Sequence, residues 1–237
     1  MQGKLLYSGK AKNLYAIENE PENVLVAFRD DATAFNALKK ASLSGKGRMN
    51  NLFSAFIFEK LQAAGIPTHF VKRVSDTESV VKRVEIIPLE CVLRNRAAGN
   101  LCKRLGIPRG QEINPPLFEL YYKDDALGDP IVSVDHVLTF QWASASELET
   151  LRRQTLAVNE ILIPLFAQAG FQLVDFKLEF GRLPNGDIVL ADEFSPDGCR
   201  LWEMESGESY DKDRFREDKG EVIEHYHIVA QRLGIDV

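Results

Sequence analysis

Three charged residues alternate with apolar residues in the segment VDFKLEFG, residues 174–181. Asp175, Lys177 and Glu179 occupy every second position, and valine, phenylalanine or leucine stands between them. This period of two predicts a half-buried β-strand with one apolar face and one charged face. Residues on the same face of a strand are about 6.6–6.8 Å apart. The charged face therefore presents an acid, a base and a second acid in a row.

A further carboxylate is expected beside this row. Asn185 and Gly186 stand between two apolar runs, which predicts a β-hairpin. A two-residue turn places Glu179 directly opposite Asp192, whereas a bulged three-residue loop would shift the register by one. Two facing carboxylates destabilise a sheet unless a cation lies between them. Oxygen ligands with no histidine or cysteine nearby indicate Mg²⁺, and the alternative is a solvated face on which Lys177 neutralises both acids.

Other segments carry groups that suit an anionic ligand. Arg94 precedes a helix that opens at a glycine in LRNRAAGN, and Arg200 closes the turn DEFSPDGCR. Arginine side chains and the free N–H groups at the start of a helix both bind phosphate. The alternative is that these arginines are ordinary surface residues without a ligand. The segment SGKAK, residues 8–12, carries two lysines between predicted strands. It suits nucleotide phosphates or is a plain basic turn.

The surrounding pattern predicts an α+β fold in two lobes, residues 1–87 and 88–237, with a ligand cleft between them. Ser146 and Glu149 form a capping-box signal for a long helix that runs to about Gly170 and bends near Pro164. Residues 107–135 are rich in Pro, Gly and Asp and are predicted to be mainly loop. The other predicted elements are short strands in the first 35 residues, helices over 49–65, 98–106 and 213–234, and strands over 79–85, 88–95, 174–182 and 188–194.

Composition excludes some classes of protein. The chain has 237 residues, 45% hydrophobic and 27% charged, as in an ordinary globular protein. Its net charge of −6 argues against non-specific nucleic-acid binding, which needs a basic surface. Three scattered cysteines indicate a reducing compartment. The sequence contains no apolar segment long enough to predict a membrane span. We therefore expect a soluble cytoplasmic protein.

In order along the chain, SGKAK, GIPTHF, LRNRAAG, INPPLFELYYKDDALGDP, VDFKLEFG and DEFSPDGCR resemble the phosphoribosylaminoimidazole-succinocarboxamide synthase (SAICAR synthetase) family. The resemblance covers essentially the whole chain. It implies a two-lobed fold related to ATP-grasp and protein-kinase nucleotide sites. It also implies a homodimer and an ATP-dependent ligase that joins the carboxylate of a phosphoribosyl carboxyaminoimidazole to L-aspartate. A phosphotransferase or a nucleotide-sensing protein on the same architecture is the alternative.

The resemblance also implies roles for individual residues. Glu179 and Asp192 would hold Mg²⁺ on ATP. Lys177 would stabilise charge on the transferring group or on the imidazole carboxylate, with Asp175 orienting Lys177 or binding the imidazole amine. The nucleotide would contact Lys10, Ala11, Lys12, Glu90 and Lys123, and the other substrate would contact Arg94, Asn100, Asp197, Gly198 and Arg200. Asn100 and Cys199 stand where relatives often carry a hydroxyl residue, which leaves a side-chain hydrogen bond at Cys199 in doubt.

Overall fold

The computed structural model describes residues 3–34 and 38–237 and begins with an antiparallel five-stranded sheet. Its strand order is β1-β2-β3-β7-β6. The next two strands, β4 and β5, form a separate pair, and helix α1 follows them. The bounds are β1 Leu5–Ser8, β2 Lys12–Ala16, β3 Asn23–Phe28, β4 Asp31–Ala34, β5 Lys39–Ser42, α1 Lys46–Ala63, β6 Phe70–Arg73 and β7 Glu78–Lys82.

A second, six-stranded antiparallel sheet contains the charged strand, which is β11. Its order is β10-β9-β8-β11-β12, and β13 pairs with the first half of β11 while β12 pairs with the second half. The bounds are β8 Glu85–Arg96, α2 Asn100–Leu105, β9 Glu112–Tyr122, β10 Ile131–Val132, α3 Val134–Thr139, α4 Ala145–Gln168, β11 Phe171–Arg182, β12 Ile188–Ala191, β13 Cys199–Glu203, α5 Asp213–Arg216 and α6 Val222–Leu233.

The main core lies where α1 and α4 pack with the strands of the second sheet. Phe176, Leu178 and Phe180 of β11 are at most 1% exposed, and burial of each side chain contributes about 1.5–3 kcal/mol. Ser144 and Glu147 form a reciprocal capping box at the start of α4. The predicted capping box at Ser146 and Glu149 was therefore two residues too late.

The α+β class predicted from the sequence is confirmed. The division into lobes 1–87 and 88–237 stays a prediction; the first sheet ends at β7 and the second begins at β8. In the part of the chain that is described, no helix is long and apolar enough to cross a membrane.

Two predictions of secondary structure were wrong. Residues 107–135 contain the eleven-residue strand β9. Its two prolines stand where the pairing of β9 with β8 is irregular, between Arg94 and Arg96, and such a site tolerates a residue without an N–H group. The predicted helix 213–234 divides into α5 and α6, because left-handed backbone at Asp218, Gly220 and Glu221 interrupts it.

Candidate active site

The two acids on the charged face of β11 are buried and Lys177 between them is partly exposed, which corrects the expectation of a charged face open to solvent. Asp175 is 3% exposed and Glu179 is 2% exposed. The strand lies between β8 on one side and β12 and β13 on the other, so neither of its edges is open. Because an unpaired buried charge is costly, each of these acids must have a partner.

The predicted register of the hairpin was also wrong. Glu179 pairs with Ala191, and Arg182 pairs with Ile188, which leaves a five-residue loop. The loop is closed by the Leu183 N–H, which donates to the Asp187 carbonyl at 2.9 Å. Asp192 therefore lies just beyond β12, in left-handed backbone with φ 60°.

The carboxylates nevertheless meet, and Lys177 brings them together. Its Nζ donates to Glu90 Oε1 at 3.2 Å and to Glu179 Oε1, and it lies 3.8 Å from Asp192 Oδ2. Glu90 is on β8, where it pairs with Glu179 across the sheet. The facing carboxylates are thus Glu90 and Glu179, and the ammonium group lies among all three acids.

Two more lysines complete this group, which we call the lysine–carboxylate cluster: Lys12, Glu90, Lys123, Lys177, Glu179 and Asp192. Lys12 Nζ lies 2.6 Å from Asp192 Oδ1, and Lys123 Nζ lies 3.1 Å from Glu179 Oε1. Burial alone would raise the pKa of Asp192, but the Lys12 and Lys177 ammonium groups hold this pKa well below its usual value. Burial raises the pKa of Glu90, against the attraction of Lys177. The cluster therefore concentrates both signs of charge in a poorly solvated place.

A second group of charges surrounds Asp175, at the other end of the row. Arg94 Nη1 donates to Asp175 Oδ2 at 2.8 Å, and Arg200 Nη1 donates to the same oxygen at 2.9 Å. Asp175 does not contact Lys177, so it orients the two arginines. Arg94 also donates to Glu119 Oε2 at 2.6 Å and to the Tyr121 hydroxyl at 3.2 Å, and it is 4% exposed.

Arg200 lies against the backbone of Gly99. A Cβ atom at Gly99 would be 2.4 Å from Arg200 Nη2, and Gly99 has φ 56° and ψ −131°. Only glycine adopts this backbone readily. The Arg200 Nε donates to Asp213 Oδ2 at 2.7 Å. Glycine in LRNRAAGN is thus required for the position of the arginine in DEFSPDGCR.

The remaining predicted residues lie at the rim or behind the site. Lys10 forms an exposed ion pair with Asp125 at 2.7 Å, and the Ala11 carbonyl accepts from the Arg29 N–H at 2.7 Å. Asn100 is exposed at the start of α2. The Gly198 carbonyl accepts from the Lys177 N–H at 2.9 Å, so the loop containing Gly198 supports β11.

The Asp197 side chain is 6% exposed and Cys199 is buried. Asp197 contacts Lys46, Lys212 and Tyr226. Burial raises the pKa of the Cys199 thiol well above its ordinary value, which opposes a reactive thiolate. Sequence reasoning missed the positions of Lys46, Glu119, Lys212, Asp213 and Tyr226, since their partners are distant in the chain.

Comparison with known proteins decides the family. Residues 5–233 match the family described as SAICAR synthetase. The chain belongs to the SAICAR synthetase family. Its members are ATP-dependent ligases of purine biosynthesis, and the function predicted from the sequence is confirmed at this level.

Relatives in this family match the chain along nearly its whole length. The phosphoribosylaminoimidazole-succinocarboxamide synthase of Marinobacter nauticus is 56% identical over 97% of this chain and 96% of its own. The crystal structure of the synthase from Ehrlichia chaffeensis has a TM-score of 0.96 at 46% identity and covers 99% of this chain and 100% of its own. A SAICAR synthetase solved in complex with ADP has a TM-score of 0.93 at 44% identity, covering 97% of each chain.

Proposed function

We propose that the lysine–carboxylate cluster holds the phosphates of ATP and that the charges around Asp175 hold a phosphoribosyl carboxyaminoimidazole. The ligase then joins the carboxylate of that nucleotide to the amine of L-aspartate. The observation that carries this proposal is the placement of both groups along the same strand, with Lys177 and Asp175 two positions apart on β11. Two anionic ligands bound there would meet at Lys177.

The acids of the cluster fit Mg²⁺ as a partner of the phosphates. Within the described residues, no group of three or more histidine, cysteine, aspartate or glutamate side chains is arranged to hold a metal by itself. Mg²⁺ is commonly held by one or two carboxylates together with substrate phosphates. Glu179 and Asp192 supply two carboxylates on either side of Lys177. When bound, the ion would neutralise charge on the transferring phosphoryl group.

The reaction requires activation of a carboxylate, which is a poor electrophile at neutral pH. We assign the activated form as an acyl phosphate, made by transfer of the γ-phosphoryl group of ATP to the carboxylate oxygen. The aspartate amine then attacks the acyl carbon, the C–O bond to phosphate breaks, and the amine loses a proton. Lys177 supplies a fixed positive charge to the transferring group, and phosphoryl transfer depends mainly on such positioning and neutralisation. Lys12 and Lys123 lie against Asp192 and Glu179, so they would add positive charge beside the phosphates.

The substrate side is built from Arg200, Arg94 and Asn100. Arg200 is the better placed of the two arginines, because Arg94 is almost fully buried by Glu119, Asp175 and Tyr121. Arg94 therefore fixes Asp175 and through it Arg200. The Asn100 amide can donate to a phosphate in place of the hydroxyl that relatives often carry.

An assay of ADP release tests the function. The purified protein should release ADP with ATP, Mg²⁺ and the carboxyaminoimidazole nucleotide only when L-aspartate is also present. ADP release without L-aspartate, with a phosphorylated product, would instead identify a phosphotransferase. ATP binding with no turnover under any combination would identify a nucleotide sensor.

Replacement of Arg200 by Leu should raise the KM for the imidazole nucleotide at least 10-fold, the scale of a lost charge-assisted contact. The KM for ATP should change less than twofold, because Arg200 contacts no member of the lysine–carboxylate cluster. Arg109→Leu is a matched control, since that guanidinium stacks over the Trp202 ring instead. A change in the KM for ATP alone would contradict the assignment of Arg200 to the substrate side.

Gly99→Ala should act through Arg200. The added methyl group must displace the guanidinium, and the backbone strain costs about 1–3 kcal/mol. We expect the KM for the imidazole nucleotide to rise at least 10-fold and the free energy of unfolding in urea to fall by that amount. Gly106→Ala is a control for positive φ alone, because nothing lies within 4 Å of its Cβ position. Equal KM values for the two variants would show that Arg200 does not depend on Gly99.

We also propose that this ligase works in the cytoplasm as a homodimer, as the family resemblance implies. The three cysteines are free thiols, which is typical of a reducing compartment. Light scattering coupled to size-exclusion chromatography tests the dimer.

A further inference from the structure

Lys46 is a buried lysine that the reaction described above does not use. It is the first residue of α1 and is 1% exposed. Its Nζ lies 2.7 Å from Asp197 Oδ2 and has no other polar partner among the described residues. Transfer of an ammonium group from water to a protein interior costs several kcal/mol. One ion pair with a single carboxylate offsets only part of this cost. The burial of the Lys46 ammonium group therefore needs an explanation.

Asp197 is shared by two ammonium groups. Lys212 Nζ donates to the same Oδ2 at 3.4 Å, and the Tyr226 hydroxyl donates to Oδ1 at 2.8 Å. Both oxygens of Asp197 are therefore occupied, and the shorter contact belongs to Lys46. Within this group of three side chains, two positive charges face one negative charge, which leaves a surplus of one positive charge. Outside the group, Arg216 and Glu193 act on Lys212 with opposite signs.

The surplus is accessible at Lys212 and not at Lys46. The side chain of Lys212 is 15% exposed, whereas that of Lys46 is 1% exposed. The Lys212 ammonium group has three N–H donors, and its one polar contact within residues 3–34 and 38–237 is the long one with Asp197. Burial lowers the pKa of Lys212 against the attraction of Asp197, and the weaker repulsion of Lys46 and Arg216 lowers it further. An anion beside Lys212 would relieve this repulsion.

Lys212 stands next to the substrate side of the site. The following residue, Asp213, binds Arg200 at 2.7 Å. Glu193 acts electrostatically on Lys212 and lies 3.4 Å from Lys12 of the lysine–carboxylate cluster. An anionic group at Lys212 would thus lie between the two groups of charges that hold the substrates.

We infer that Lys212 binds a phosphate or carboxylate group of a substrate other than ATP, and that Lys46 is a positioning residue for it. Lys46 takes the shorter contact with Asp197 Oδ2, so that Asp197 holds Lys212 only through the longer contact. The inference rests on the proposed function, because it places the anionic group in the same site. Either of the two substrates other than ATP could supply this anionic group. The imidazole nucleotide carries a phosphate and a carboxylate, and L-aspartate carries two carboxylates.

The test compares KM values in the ADP-release assay for Lys46→Met, Lys212→Met and the double variant Lys46→Met/Asp197→Asn. Lys46→Met frees Asp197 to pair closely with Lys212, so the KM for the imidazole nucleotide or for L-aspartate should rise about 10-fold. Lys212→Met should raise the KM for the same substrate. The KM for ATP should stay within twofold in both variants.

The double variant separates positioning from a simple structural role. Without the charge of Asp197, Lys212 is no longer neutralised, and the raised KM should return to within threefold of the wild-type value. A purely structural pair predicts that the double variant is no better than Lys46→Met. Lys60→Met, on the exposed side of the same helix, should change no KM.

The substrate whose KM rises in Lys212→Met is the one that Lys212 contacts. Unchanged KM values in Lys212→Met, or no recovery in the double variant, would overturn the inference. If Lys46→Met does not fold, Lys212→Met still tests whether Lys212 binds a substrate. In that variant Asp197 keeps Lys46 and Tyr226 as partners, so the fold should persist. Failure of the wild-type protein to require L-aspartate would refute the proposed function instead, so the two failures are distinguishable.

Discussion

Glu179→Gln and Asp192→Asn should each lower kcat at least 100-fold and raise the Mg²⁺ concentration needed for half-maximal rate. Each change keeps the shape of the side chain and removes one anionic metal ligand. The amide oxygen left at each position can still accept a hydrogen bond from Lys123 or Lys12, so the fold should persist. The measurement is a Mg²⁺ titration of ADP release at saturating substrates, with thermal unfolding followed by circular dichroism.

A matched control exists in the same hairpin. Asp187 is exposed, its carboxylate accepts a hydrogen bond from the Asn185 amide, and it contacts no member of the lysine–carboxylate cluster. Asp187→Asn should leave both kcat and the Mg²⁺ dependence unchanged. If Glu179→Gln and Asp192→Asn titrate with Mg²⁺ as the wild type does, the metal is held elsewhere and the cluster only balances its own charges.

The sequence predicted the chemistry of this site better than its geometry. Alternation identified β11 and its charged row, because a period of two depends only on local backbone geometry. The register of the hairpin was wrong because the loop is closed by Leu183 and Asp187 rather than at Asn185 and Gly186. A shift of one residue turns every side chain to the other face. Asp192 still reaches Lys177, since it lies beyond the strand in left-handed backbone.

The burial of Arg94 and of the Asp197 side chain was not predictable from the sequence. Arg94 is paired with Glu119 on β9, and β9 itself was expected to be loop because of its prolines. Asp197 is paired with Lys46 from α1 and with Tyr226 from α6. These partners come together only through packing of distant elements. A charged residue in a motif therefore identifies a site without showing whether the side chain faces the ligand.

Lys177→Met should lower kcat by about 10²–10³-fold, the scale of the loss when one fixed group that stabilises charge in the transition state is removed. In contrast to the carboxylate variants, the Mg²⁺ concentration for half-maximal rate should stay at or below the wild-type value. Lys177 is bound to Glu179 and lies 3.8 Å from Asp192. Its ammonium group thus competes with Mg²⁺ for the same oxygens, and its removal frees them.

The direction of the Mg²⁺ shift therefore distinguishes the two kinds of residue. Lys72→Met, at an exposed position of β6, is the matched control and should leave kcat and the Mg²⁺ titration unchanged. A higher Mg²⁺ requirement in Lys177→Met would mean that the lysine helps to arrange the metal ligands rather than competing with the ion. An unchanged kcat would mean that the positive charge at the centre of the three carboxylates serves only to keep them folded together, and that another group stabilises the transferring phosphoryl.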